Sequence, residues 1–152
     1  YSLRVDPRVE VMERQNFLYS TPADFTRGEP TIASIDVSFI SLRLILPPLI
    51  DILAQDGYVL TLIKPQFEAG RERVGKNGIV KDQQTHIDVV TEVLQFASSI
   101  GYTVEDLTFS PITGGEGNIE FLAKLKNAKQ LNNQSWQQIK IEEVVKQAHE
   151  TF

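Results

Sequence analysis

Residues 60–70 read Leu60-Thr61-Leu62-Ile63-Lys64-Pro65-Gln66-Phe67-Glu68-Ala69-Gly70. A short, β-rich apolar run delivers one lysine to a strand end, and Pro65 stops the strand there. A glycine-rich basic segment follows, Gly70-Arg71-Glu72-Arg73-Val74-Gly75-Lys76-Asn77-Gly78. In open α/β sheets ligands sit at the carboxyl ends of strands, so a charge placed there is a site candidate. A second strand, Thr31-Ile32-Ala33-Ser34-Ile35-Asp36-Val37, ends the same way in an aspartate. A third, Asn118-Ile119-Glu120-Phe121-Leu122, carries a glutamate inside an apolar run. Asp36, Lys64 and Glu120 on three strands of one sheet make a candidate site.

The elements around these strands alternate. Residues 9–13 alternate apolar with polar and predict a short strand near an edge. A turn-rich stretch follows, in which Thr21-Pro22-Ala23-Asp24-Phe25 starts one helical turn. Residues 38–53 carry apolar positions at helical spacing, with Pro47 and Pro48 predicting a break or a fresh start. Residues 58–63 predict a near-continuous apolar strand of the buried parallel type. Residues 66–81 predict a long loop. Residues 85–100 form an amphipathic helix with Ile87, Val90, Val93, Leu94 and Ala97 on one face, stopped by Gly101. Residues 103–110 and 119–126 are the last two strands; their short link through Pro111 and Gly114-Gly115-Glu116-Gly117 predicts an antiparallel pair. Beyond an Asn/Gln-rich linker, residues 136–152 form a final helix with Ile141, Val144, Val145 and Ala148 on one face. The alternation predicts α/β with a mixed sheet.

Composition narrows the function classes. The 152 residues suffice for one domain with a core. There is no cysteine, which excludes disulfides and thiolate metal sites and fits a cytoplasmic setting. A net charge of −5 argues against an autonomous nucleic-acid binder, which carries a basic footprint. The most apolar run, residues 44–53, is too short to span a membrane and is broken by Pro47, Pro48 and Asp51. The chain opens Tyr1-Ser2-Leu3-Arg4-Val5-Asp6-Pro7, without an initiator Met, and reads as the middle of something longer.

Several motif-like matches have plainer readings. Residues 70–77 fit the phosphate-loop pattern up to its last position, which should be Ser or Thr to hold Mg²⁺ and is Asn77. No helix is expected to begin there, so nucleotide hydrolysis is rejected. The Gly114–Gly117 turn precedes a strand and is not a dinucleotide fingerprint. His86 and His149 have no partner at metal-ligand spacing and read as structural. Trp136, Phe17, Phe39, Phe67, Phe96, Phe109 and Phe121 read as core or rim packing.

Taken in order, the strings around Asp36, Lys64-Pro65-Gln66-Phe67-Glu68, Val74-Gly75-Lys76-Asn77-Gly78, Ser110-Pro111-Ile112 and Gly117-Asn118-Ile119-Glu120 resemble one family. It is the TlyA, or haemolysin A, group of FtsJ-like RNA 2′-O-methyltransferases. Residues 5–9 and 12–16 look like its segment leading through the third strand, so the resemblance covers roughly residues 3–126. It implies a Rossmann-like, S-adenosylmethionine-dependent methyltransferase fold with an antiparallel last strand. It also implies one partial domain over residues 1–152 (core 9–126, C-terminal helix 136–152) whose N-terminal strands, cofactor loop and RNA-binding module lie elsewhere. The sheet order implied by the family leaves residues 9–13 without a natural neighbour. Either residues upstream of Tyr1 supply that neighbour, or the segment packs irregularly or on another chain; it is not expected to pair directly with residues 31–37.

Within that resemblance, Asp36, Lys64 and Glu120 match the last three members of a Lys-Asp-Lys-Glu tetrad. Lys64 is expected to touch the ribose hydroxyl, steering it or accepting its proton. A base role needs the neutral amine, whereas free lysine titrates near about 10.4 and nearby carboxylates favour the charged form. Asp36 is also expected near the reactive end of the cofactor, and Gln15 and Asn16 near its adenine. Arg71, Arg73, Lys76 and Lys81 are expected to contact RNA. The implied partner is ribosomal RNA or a ribosomal subunit. A catalytically silent RNA- or partner-binding domain and a membrane-active haemolysin are the competing readings.

Overall fold

The computed structural model describes residues 4–12 and 16–152. Four strands form one sheet in the order β1-β2-β4-β3. β1 (Ile32–Ile35) runs parallel to β2 (Tyr58–Ile63), which runs antiparallel to β4 (Phe121–Lys126), itself antiparallel to β3 (Thr103–Phe109). The mixed sheet and the antiparallel final pair agree with the sequence. Residues 9–12 form no strand, and β1 pairs only with β2 among the described strands. The expected edge strand is thus absent over those residues, and it does not pair with residues 31–37.

β2 differs from the expected all-buried strand. Val59, Thr61 and Ile63 are buried whereas Leu60 is 36% exposed. The period-2 pleat sends alternate residues to a helix-covered and an open face, and the apolar run conceals this division. On the covered face α1 (Leu42–Ile52), α3 (Gln83–Ile100) and α4 (Ile141–Thr151) lie side by side, α3 touching both neighbours. Leu46, Leu53, Val59, Ile63, Val90, Leu94, Phe121 and Val145 are fully or almost fully buried between these helices and the sheet. Each such side chain stabilises the fold by about 1.5–3 kcal/mol relative to exposure. On α3 the buried face includes Val89 and His86, while Ile87 is only partly buried.

α1 is continuous through Pro47 and Pro48, against expectation. The two missing N–H groups deprive the carbonyls of Arg43 and Leu44, and both residues are exposed, so water can satisfy them. Both ends of α1 are tied down. Ser41 Oγ accepts from Arg43 N–H at 3.1 Å. At the other end, Asn127 Nδ2 donates to the carbonyls of Ile50 and Leu53, each at 3.1 Å. In mid-helix, the buried Tyr102 hydroxyl donates to Leu46 O at 2.8 Å.

The stretch expected as a loop contains α2 (Pro65–Glu68), one turn that starts on Pro65, a residue pre-set for the first helical position. The two edges of the sheet differ. β1 presents Ile32-Ala33-Ser34-Ile35, without a charge. β3 carries exposed Glu105 and Asp106 and a register shift between Val104 and Asp106. Its Val104 N–H donates to Ser135 Oγ at 2.8 Å, and its Leu107 N–H to Asp106 Oδ1 at 2.8 Å. No helix among the described residues is long and apolar enough to cross a membrane.

Candidate active site

Asp36 follows β1, Lys64 follows β2 and Glu120 immediately precedes β4. Because β1 and β2 are parallel and β4 runs against them, two strand ends and one strand start meet at the same rim. The three residues line a single cavity of about 520 Å³. Glu120 stands just outside its strand, not within it, although its carbonyl still accepts from Ser110 N–H at 2.8 Å.

Lys64 is held on one side by Asp36, whose Oδ1 lies 2.5 Å from Nζ. It also donates to Ser38 Oγ at 3.3 Å. The Lys64 side chain is 12% exposed and that of Asp36 70%, so the carboxylate takes the solvent side of the pair. The turn that follows distributes its side chains to neighbouring segments. Gln66 Nε2 donates to Glu120 Oε2 at 2.8 Å. Phe67 meets the ring of Phe39 at 4.7 Å between centroids. Glu68 accepts from Leu42 N–H at 2.8 Å and from Ser41 Oγ–H at 2.7 Å, closing the start of α1. Burial pushes the Glu68 carboxyl above the usual range, against those two hydrogen bonds and the nearby Arg43.

Glu120 is buried, at 7% exposure. Gly114 closes over it: a Cβ there would stand 2.6 Å from Glu120 Cδ and 3.1 Å from Oε1. Gln66 Oε1 is buried without a hydrogen-bond partner, an arrangement that costs about 1–3 kcal/mol. At the cavity mouth Phe39 is 89% exposed and has φ 64°, a conformation uncommon for a bulky residue.

Two turns, Lys76–Gly78 and Gly115–Gly117, form the lips of the cavity. In each, a non-glycine residue in the left-handed region (Asn77 φ 64°, Glu116 φ 59°) precedes a glycine in the same region. Asn118 joins them. Its Oδ1 accepts from Val80 N–H at 2.9 Å, and its Nδ2 donates to Gly78 O at 2.9 Å and Gly115 O at 3.0 Å.

The remaining candidates fall elsewhere. Arg71, Lys76 and Lys81 are exposed. Arg73 lies 3.5 Å from Asp88 and 3.6 Å from Glu92, bracing its loop against α3. Arg73, Lys76 and Lys81 line a second hollow beside the lips. Gln15 lies outside the described residues. Asn16 caps the turn Phe17–Tyr19 through Oδ1, which accepts from Leu18 N–H at 3.0 Å, and does not line the cavity. Its neighbour Phe17 shares an apolar groove of about 310 Å³ with Ala33, Ile35, Asp36, Ile45 and Leu49, so Asp36 borders both spaces.

His86 and His149, expected to stand alone, meet each other. His86 Nε2–H donates to Val80 O at 3.0 Å, so its neutral ring accepts at Nδ1 from His149 Nε2–H, 2.6 Å away. Burial first, and His149 second, push His86 down to about 4. The pair packs α3 onto α4. No cluster of three metal-binding side chains occurs among the described residues. Sequence reasoning missed Ser38, Gln66, Glu68, Gly114 and Asn118. Four lie inside the strings quoted above and Ser38 directly follows one, but the partners of Ser38, Gln66, Glu68 and Asn118 are distant in the chain.

Residues 1–127 match the FtsJ-like methyltransferase family. The whole chain is 53% identical to 54% of "Putative rRNA methyltransferase YqxC" of Bacillus subtilis. Over 83% of the chain it is 38% identical to 47% of "16S/23S rRNA (cytidine-2'-O)-methyltransferase TlyA" of Mycobacterium tuberculosis. A solved "Putative hemolysin" from Streptococcus thermophilus superposes with a TM-score of 0.93 and 54% identity, covering 99% of this chain and 54% of that one. The chain spans about half the length of the curated relatives it matches. The match over residues 1–127 and the mixed sheet that brings Asp36, Lys64 and Glu120 to one rim agree: the chain belongs to the FtsJ-like methyltransferase family.

Proposed function

We propose that the protein carrying this chain transfers a methyl group from S-adenosylmethionine to a ribose 2′-hydroxyl of ribosomal RNA, in the cytoplasm. The observation that carries this reading is the convergence of Asp36, Lys64 and Glu120 on one cavity, with Lys64 held by Asp36 and Ser38. The bound cofactor supplies an already electrophilic methyl, so the protein's task is chiefly alignment. Asp36, on the border between the apolar groove and the cavity, suits both the cofactor's reactive end and the anchoring of Lys64. Phe17, Ala33, Ile35 and Val37 give that groove an apolar wall against which an adenosyl group fits. Asn16 and Gln15 are candidates for the adenine edge.

Lys64 contacts the ribose hydroxyl and steers it or takes its proton. Glu120, which lines the same cavity, is the second group available to the sugar. Phe39 stands exposed at the mouth, a surface on which an unstacked base can lie, as single-stranded RNA recognition requires. Arg71, Lys76 and Lys81 meet phosphates, and Arg73 holds their loop in place.

The test is transfer of labelled methyl from S-adenosylmethionine to ribosomal subunits and to naked ribosomal RNA, using the complete gene product. Ribose-borne label that disappears in Lys64→Ala is the expected result. Cofactor binding without transfer to any of these substrates refutes it and favours a binding role.

A further inference from the structure

We infer that Gln66 is a positioning residue that holds the Glu120 carboxylate at a set place relative to Lys64. The inference rests on the function proposed above and extends it. Lys64 and Gln66 belong to one rigid turn, started by Pro65 and only two residues apart. The Gln66 side chain then reaches a residue 54 positions away, donating from Nε2 to Glu120 Oε2 at 2.8 Å. A carboxylate only accepts, so the amide is forced to present its nitrogen to Glu120. The consequence is visible at the other end of the same group, where Oε1 is buried with no partner. A methionine or leucine would fill the space without that orphaned atom. A side chain that leaves an acceptor unsatisfied in order to deliver one N–H is placed for the N–H. Gly114, pressed against the same carboxylate and nearest the same Oε2, completes the clamp.

Acting through Glu120, Gln66 need not touch the RNA or the cofactor. The discriminating variant is Gln66→Glu, which keeps the shape of the side chain. Two carboxyl groups at hydrogen-bond distance retain one proton between them. While that proton is present, the introduced carboxylic acid donates to Glu120 as the amide did. Once it leaves, the two charges repel and Glu120 moves.

Methyl transfer and thermal unfolding are measured from pH 5.5 to 8.5 on the complete gene product as wild type, Gln66→Glu and Gln66→Met. For Gln66→Glu, the kcat ratio of variant to wild type should fall at least tenfold across that range. Its stability relative to wild type should fall with it. For Gln66→Met, kcat should drop about tenfold to a hundredfold at every pH, with KM within about threefold and any unfolding offset from wild type independent of pH. A flat kcat ratio, or a Gln66→Met enzyme within threefold of wild type, overturns the positioning role. If the wild type transfers no methyl group, the proposed function fails instead. The unfolding curves then still decide the contact, since parallel curves for Gln66→Glu and wild type overturn it.

Discussion

Gly114→Ala tests the site by displacing one carboxylate and sparing the fold. Gly114 has φ −81° and ψ −162°, a backbone conformation alanine adopts without strain. The new methyl would stand 2.6 Å from Glu120 Cδ, where ordinary contact begins at 3.4 Å. Glu120 Oε2 would lie nearer still, so the carboxylate must move by at least about 3.4 − 2.6 = 0.8 Å. Because the obstructing atoms belong to the tip of a side chain, they can yield by rotation, at the loss of the hydrogen bond from Gln66. That loss costs about 1–2 kcal/mol of stability. Activity should suffer more, because misplacement by roughly 1 Å costs about 100-fold in rate, or about 2.7 kcal/mol of transition-state stabilisation. The assay is methyl transfer to ribosomal subunits, paired with thermal unfolding. An alanine enzyme within about threefold of wild type in kcat would refute the reasoning, since it would show that Glu120 either does not move or does not matter.

Three further outcomes are expected. His86 titrates near its ordinary 6.5 when unfolded and at about 4 when folded, so the unfolded chain binds the proton first. Stability is then complete above pH 6.5 and falls by roughly 2 kcal/mol towards pH 4, after allowing for solvent at the His149 side; denaturant unfolding against pH should show this, and His86→Phe should flatten that part of the curve. Asn127→Ala removes the donor shared by the Ile50 and Leu53 carbonyls and should cost about 1–3 kcal/mol in urea unfolding, a loss below about 0.5 kcal/mol counting against the cap. Glu68→Ala should cost about 1–2 kcal/mol because Leu42 N–H loses its acceptor. Glu68→Gln should be nearly neutral, and its advantage over wild type should grow as pH rises, because burial raises the Glu68 carboxyl and the folded state then favours the protonated acid.

What the sequence disclosed was local. Residues 58–63 and the helix stopped by Gly101 were legible because a β-rich apolar run and a capped amphipathic pattern are signals carried within one window. The alternating exposure of β2 was hidden, since Leu60 and Leu62 are as apolar as their buried neighbours and only the placement of the helices distinguishes them. Pro47 and Pro48 were misread because their cost depends on whether the deprived carbonyls reach water. The residues at the three strand ends could be named, yet not their fastenings. Gln66 to Glu120, Glu68 to Leu42 and His86 to His149 join positions 54, 26 and 63 residues apart, which no spacing rule connects. Residues 9–12 alternate as a strand does, but alternation supplies no partner.

The unlike borders of the sheet give the fold a direction of growth. At β3 the outward amides of Val104 and Leu107 are already engaged by Ser135 and Asp106, and a strand arriving there would meet Glu105 and a distorted register. At β1 it would meet four uncharged residues in regular register, with Ile32 61% exposed. Bulges, charge and side-chain caps repel edge pairing, and their lack invites it. The sheet can therefore be extended beside Asp36 and is sealed on the side away from it.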